Sequence, residues 1–279
     1  MPELPEVETV ARLVRPRLEG RLIKGAEVSW VRSLGGLSEF EFREQITDSL
    51  VKRVWRRAKW IVFDLERLGA PAGHLLCHLR MTGRLHVEST EADMGPYERV
   101  RLDLNSGESL FFIDVRKFGR FTYVNDADER FAGIGPEPLT DEFSSTWFRA
   151  ALSSRKRQLK PLLLDQSFLA GLGNIYVDEA LHASGLHPLR RSDRVPGAAA
   201  DRLHAEIRSV LAEAIRREGS SFDTFYRTPE GQPGSYQDQF LVYGRDGKPC
   251  RTCGRKIKKM VVGQRGTHIC TRCQPAPRG

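Results

Sequence analysis

The chain opens on a helical pattern and then changes period. Val7, Val10, Leu13, Val14 and Leu18 recur at three- and four-residue spacing and Gly20 follows them, which predicts an amphipathic helix ended by a glycine. From 21 to 135 the apolar residues come in short β-rich runs, at 22–23, 28–31, 51–55, 60–65, 74–79, 85–87, 99–104, 109–113 and 121–124, separated by turn residues. Alternation is clearest at Val100, Leu102 and Leu104. These runs predict a two-layer antiparallel β-sandwich carrying the N-terminal helix. Residues 133–138, Gly-Ile-Gly-Pro-Glu-Pro, suit neither helix nor central strand and read as a linker. Helical periodicity then takes over, at 141–152, 160–164, 175–184 and 199–217. Residues 219–237 are polar and rich in Gly and Pro, hence a loop, and 240–243 read as a strand. The fold class is α+β in two domains. The expected divisions are 1–132 for the sandwich, 133–140 for the linker, 141–239 for the helical part with its loop and 240–279 for a Cys-containing tail.

Composition adds a polyanion. The 279 residues carry a net charge of +8, yet 241–279 alone hold ten Lys/Arg against one acid, Asp246. Such a local basic block points to nucleic acid. The same segment contains Cys250-x2-Cys253 and Cys270-x2-Cys273, 16 residues apart, the spacing of a four-thiolate zinc site. Four ligands close the metal's shell, so the zinc is structural, and a segment this small folds only with it. Cys77 sits in an apolar run and reads as a buried small hydrophobe. No apolar run reaches the length of a membrane span, and Glu3 and Glu6 stand where a signal peptide would be basic. The expected compartment is the cytoplasm, with the nucleic acid.

Candidate chemistry begins at Met1-Pro2-Glu3-Leu4-Pro5-Glu6. Loss of Met1 would leave Pro2 as a secondary amine able to form an iminium with an electrophilic carbon. Pro5 falls in the first helical turn, where its missing N–H costs nothing, and the helix dipole disfavours protonation of the amine. A plain acid-capped helix explains the same residues. Lys59 opens a strand. His78-Leu79-Arg80-Met81-Thr82-Gly83 and Asp114-Val115-Arg116-Lys117-Phe118-Gly119 each set a bulky apolar residue beside basic ones just before a glycine. That suits a loop wedging into a base stack while arginine holds phosphate. Gly171, Gly173 and Asn174 precede a helix, with Asn174 as its expected N-cap and a candidate phosphate site.

Taken together, Pro2-Glu3-Leu4-Pro5-Glu6-Val7-Glu8, the 114–119 loop, Gly173-Asn174-Ile175-Tyr176-Val177-Asp178-Glu179 and the four-cysteine pattern resemble the bacterial formamidopyrimidine-DNA glycosylases over essentially the whole chain. The resemblance implies a helix-two-turn-helix in the middle and a β-hairpin zinc finger at the end. It implies a monomeric repair enzyme that removes 8-oxoguanine and formamidopyrimidines from damaged double-stranded DNA and then cuts the strand. Pro2 would attack C1′, Glu3 would be the acid opening the sugar, and Lys59 and Arg265 would assist elimination at the lesion phosphate. Met81, Arg116 and Phe118 would fill the gap left by the everted nucleotide. Asn174, Lys160 and Arg155 would grip the backbone. The family's usual His phosphate contact is replaced here by the stretch Pro96-Tyr97-Glu98-Arg99, leaving Tyr97 or Arg99 to take the contact. The loop position that is often basic in the family is Asp223 here. Two other readings are a non-catalytic DNA binder of this fold and the relative that prefers oxidised pyrimidines; Leu4, where that relative tends to have Gly, stands against the second.

Overall fold

The computed structural model describes residues 1–222 and 226–277. The chain divides into two compact units, Met1–Gly133 with Glu218–Ser235, and Ile134–Arg217 with Tyr236–Gly279. The stretch 218–235, read as part of the helical domain, belongs to the first unit. Its base is fixed there because Ser220 N–H donates to Glu6 Oε1 at 2.8 Å, and His86 Nδ1 bonds the Pro229 carbonyl at 2.9 Å. Tyr226 is buried in the same core.

In the first unit, helix α1 (Leu4–Leu18) lies on a sandwich of two four-stranded antiparallel sheets. One sheet contains β1 (Ile23–Val28), β6 (Glu98–Leu104), β7 (Glu108–Asp114) and β5 (Gly83–Ser89) in that order. The other contains β2 (Leu50–Arg57), β3 (Trp60–Arg67), β4 (Ala70–His78) and β8 (Arg120–Val124). Val7, Val10, Ala11, Val14 and Leu18 of α1 enter one core with Phe63, Phe112 and Phe121 from the sheets. Burying such side chains contributes about 1.5–3 kcal/mol each. Two short helices were not expected, α2 (Glu39–Ile46) and α3 (Ala127–Phe131). Helix α2 is set by a capping box, Ser38 Oγ accepting from Glu41 N at 3.2 Å and Glu41 Oε2 accepting from Ser38 N at 2.8 Å; Phe42 and Ile46, four apart, face the core.

The second unit comprises α4 (Ser145–Ser153), α5 (Leu159–Leu164), α6 (Asn174–Ala183), α7 (Gly197–Arg216) and a hairpin of β9 (Lys258–Val262) and β10 (Arg265–Ile269). Helix α7 packs on α4 and α6, burying Leu203, Ile207 and Leu211. Residues 240–243 are not a strand. The N–H groups of Leu241, Val242 and Tyr243 serve a buried carboxylate described below. Among the described residues, no helix is long and apolar enough to cross a membrane.

Candidate active site and zinc hairpin

Glu3 is the N-cap of α1, buried to 3 % exposure, with Pro2 buried beside it and Met1 exposed. Its N–H donates to Glu6 Oε2 at 2.8 Å, the carboxylate whose other oxygen takes the Ser220 N–H. Glu6 therefore ties the start of α1 to the base of the 218–235 segment. Gly219, at φ +77°, sits so close that a Cβ there would meet Glu6 Oε1 at 2.7 Å. The sequence offered Glu6 as a capping acid; its reach across 214 residues had no local signal.

Lys59 lies in the two-residue turn between β2 and β3, with Ala58 at φ 52°. A short relay connects this turn to α1. Glu8 accepts from Arg56 Nε at 2.9 Å, and Arg56 donates on to the Ala58 carbonyl at 3.0 Å. Burial acts to raise the Glu8 carboxyl, but Arg56 and Arg12 outweigh it and hold it below the ordinary carboxylate value. The relay thus remains charged and fixed. Lys59 itself is 7 % exposed, buried for a lysine, and its charge acts on His78. Burial, with Arg80 and Lys59 adding to it, pushes that imidazole down to about 3. His78 is therefore neutral, and its Nδ1 accepts the Arg80 N–H at 3.0 Å, shaping the loop ahead of Met81.

The three wedge candidates come together. Arg116 Nη1 reaches Met81 Sδ at 3.1 Å, and the Arg116 guanidinium lies over the Phe118 ring at 4.8 Å. Met81 and Phe118 are 38 % and 49 % exposed, which burial alone would not favour for such side chains. The two loops are held from below by Asp114, buried to 1 %. It accepts from Thr82 Oγ1 and from Gly119 N at 2.7 Å, while Arg116 N donates to Thr82 at 3.1 Å. Arg99 completes this support rather than facing outward. It is buried, and its Nε donates to the Asp114 carbonyl at 2.8 Å. Of the two residues offered for the phosphate contact, Tyr97 is the exposed one, at 46 %. Asp223 lies outside the described residues.

In the second unit two expectations are corrected. Asn174 is not the N-cap of α6; Gly173 is, in an extended conformation, and Asn174 is the first helical residue. Its side-chain amide instead donates to the Gly266 carbonyl of the hairpin at 3.0 Å. Lys160 does not offer an open ammonium to a DNA backbone. The side chain has no exposed surface, and its Nζ bonds Asp178 Oδ1 at 2.6 Å and the Gly266 carbonyl at 3.1 Å. The other Asp178 oxygen accepts the His268 N–H at 2.9 Å. Lys160 and Asp178 therefore fix β10 to α5 and α6. Arg155 is exposed but occupied, donating to the Ala151 carbonyl at 2.9 Å and lying over Phe168 at 5.0 Å. Arg265 opens β10 and is exposed, after a two-residue turn with Gly263 at φ 55° and Gln264 at φ 61°. Replacing Lys160 by Ala is expected to leave buried Asp178 without its ion-pair partner. The expected loss is about 3–5 kcal/mol, measured as a lower urea midpoint; an unchanged midpoint would remove the pair from this role.

Glu179, beside Asp178, anchors the other end of the zinc segment. Its carboxylate accepts N–H groups from Leu241, Val242 and Tyr243 at 2.7, 3.0 and 2.8 Å. Burial raises the carboxyl even against those donors. The cysteine thiols converge as their spacing required, with Cys253 Sγ 3.3 Å from Cys270 Sγ and Cys250 Sγ 3.9 Å from Cys273 Sγ. Tetrahedral zinc with Zn–S bonds of about 2.3 Å needs sulfur separations of about 3.8 Å, so the donor set fits one ion. Cys250, Cys253, Cys270 and Cys273 are the donors for a single structural zinc.

A buried acid and proline at a helix start, an exposed cluster of Met81, Arg116 and Phe118 and a zinc hairpin braced on a helical unit fit a DNA repair glycosylase. The comparisons agree. Residues 1–121 match the formamidopyrimidine-DNA glycosylase N-terminal domain, 134–226 the H2TH domain of the same enzymes, and 247–276 the zinc finger found in FPG and IleRS. The formamidopyrimidine-DNA glycosylase of Symbiobacterium thermophilum is 41 % identical over 100 % of this chain and 91 % of its own, and that of Bacillus subtilis 37 % identical over 98 % and 99 %. Lactococcus lactis Fpg, solved with Fapy-dG-containing DNA, superposes with a TM-score of 0.89 at 32 % identity, over 98 % of this chain and 100 % of that one. The chain belongs to the formamidopyrimidine-DNA glycosylase family. It is accordingly a base-excision-repair enzyme that cleaves N-glycosyl bonds and carries the family's abasic-site lyase activity.

Proposed function

We propose that the enzyme excises oxidised purines from duplex DNA through Pro2 and severs the strand by β- and δ-elimination. The observation that carries this reading is the buried Pro2-Glu3 pair at the head of α1, braced by Glu6 and Glu8. With Met1 removed, the Pro2 nitrogen attacks C1′ and the base departs. Glu3 protonates the sugar ring oxygen as the ring opens. The resulting iminium acidifies the C2′ proton, whose loss expels the 3′ phosphate; the conjugated imine this leaves acidifies the C4′ proton, whose loss expels the 5′ phosphate. Lys59 and Arg265 supply positive charge for those departures. The target atom is inaccessible within a base stack, so the nucleotide is everted, and Met81, Arg116 and Phe118 occupy the space it leaves. Tyr97, Asn174 and Arg155 contact the backbone, while Lys160 contributes by fixing the hairpin. The zinc takes no part in the bond changes; its four thiolates hold the segment that carries Arg265. The enzyme works as a monomer on damaged double-stranded DNA, in the bacterial cytoplasm at the nucleoid.

Glu3→Gln tests the assignment. It is expected to bind an 8-oxoguanine duplex as tightly as the parent while excising the base about 10²–10⁴-fold more slowly. Full excision by this variant would take Glu3 out of the mechanism. Running the parent enzyme on 8-oxoguanine and thymine-glycol duplexes side by side decides the lesion class, with faster cleavage of the first expected.

A further inference from the structure

Around the zinc site there are five donors rather than four. His182, near the end of α6, is 4 % exposed and brings its Nε2 to 3.5 Å from Cys250 Sγ. The ligand atoms that all lie within 4.8 Å of one another belong to His182, Cys250, Cys270 and Cys273. Cys253 is outside that set, close to Cys270 and, like Cys273, half-buried. A shared tetrahedral zinc, with Zn–N near 2.0 Å and Zn–S near 2.3 Å, sets its nitrogen about 3.5 Å from each sulfur. The His182–Cys250 spacing is that of a ligand pair as well as of an N–H···S hydrogen bond.

A second feature separates a spare donor from a resident one. A histidine that permanently ligates a metal almost always has its other ring nitrogen hydrogen-bonded, which fixes the tautomer. His182 Nδ1 is buried with no hydrogen-bond partner among the described residues.

We propose that His182 is a reserve ligand. With all four thiolates in place its Nε2–H donates to Cys250; when Cys253 is lost, Nε2 completes a three-sulfur, one-nitrogen shell. In that exchange an activated alkene such as a maleimide takes the Cys253 sulfur lone pair into a carbon–sulfur bond, its π pair takes a proton from water, and the sulfur's bond to the ion breaks. The Nε2 lone pair forms the replacement bond to the ion, and the ring proton moves to Nδ1. The Cys253 thiolate can thus be modified while the hairpin stays folded.

The test uses the full chain and metal readouts. Cys253→Ala is expected to retain one zinc per protein, and its cobalt-substituted form to show the absorption of three thiolates and one imidazole. Cys253→Ala/His182→Phe is expected to lose the metal to a chromogenic chelator at a concentration at least about tenfold lower, and His182→Phe alone to keep its zinc. Equal zinc affinity with and without His182 in the Cys253→Ala background overturns the proposal. A second measurement serves if the double variant does not accumulate. N-ethylmaleimide modification of Cys253 in the parent and in His182→Phe is followed by zinc release, expected only from His182→Phe. Release from both, or from neither, overturns the proposal equally.

Discussion

Enzyme that retains Met1 forms no borohydride-stable adduct with an 8-oxoguanine duplex, whereas processed enzyme is trapped through Pro2. The reason is electronic before it is steric. With Met1 attached, the Pro2 nitrogen is an amide whose lone pair is delocalised into the carbonyl, and it cannot form the iminium that borohydride reduces. Removing Met1 converts it to a secondary amine at the positive end of α1, where protonation is disfavoured. The brace around it is untouched by processing, because Glu3 N–H is held by Glu6 and Glu8 is held by Arg56. Duplex binding by the Met1-retaining form should accordingly persist, with strand cleavage reduced by roughly a thousandfold or more, the scale on which enzymes lose rate when a nucleophile is removed. The trapped residue is mapped by mass spectrometry. An adduct of normal yield with Met1 in place, mapped to Lys59, would transfer the nucleophile's role to that turn and refute the reading of Pro2.

What the sequence could and could not disclose follows from the range over which each interaction acts. The α1 face, the strands and the zinc spacing are local periodicities, and they emerged as α1, the two sheets and the converging thiols. Helix α2 was hidden because Glu-Phe-Glu-Phe alternates like a strand, although Phe40 is 75 % exposed and only Phe42 is buried; the Ser38-x-x-Glu41 capping box was its readable sign. Asn174 was misplaced by one position because Gly173 alone supplies the extended N-cap. Lys160 appeared to be a surface cation because its partners are 18 and 106 residues away. Glu179 accounts for the false strand at 240–243. Leu241, Val242 and Tyr243 direct their N–H groups to one carboxylate rather than to a neighbouring strand. For Lys160 and for the 240–243 run the motif was visible but its contact partner was distant.

The same contacts determine what zinc removal does. The segment's own apolar cluster is small, Val242 and Ile257 beside Cys250 and Cys270, with Cys253 and Cys273 against it, too little to fold a domain unaided. Zinc supplies the difference, an apparent binding energy of about 10–16 kcal/mol in isolated fingers. Glu179 holds the entry of the segment and Asp178, through His268 N–H, holds β10, but both anchors need a formed hairpin to receive. Chelating the metal is therefore expected to abolish amide-exchange protection across 245–274 and release Lys160 from the Gly266 carbonyl. Protection in α7 and in the first unit's sheets, whose cores contain none of these cysteines, should remain. Duplex affinity should fall with the hairpin, because Arg265 and the basic residues of β9 lose their fixed positions, and zinc readdition should restore both. A metal-free protein that keeps hairpin protection and binds the lesion duplex at full strength would show that α5 and α6, through Asp178, Glu179 and Lys160, hold the segment without an ion.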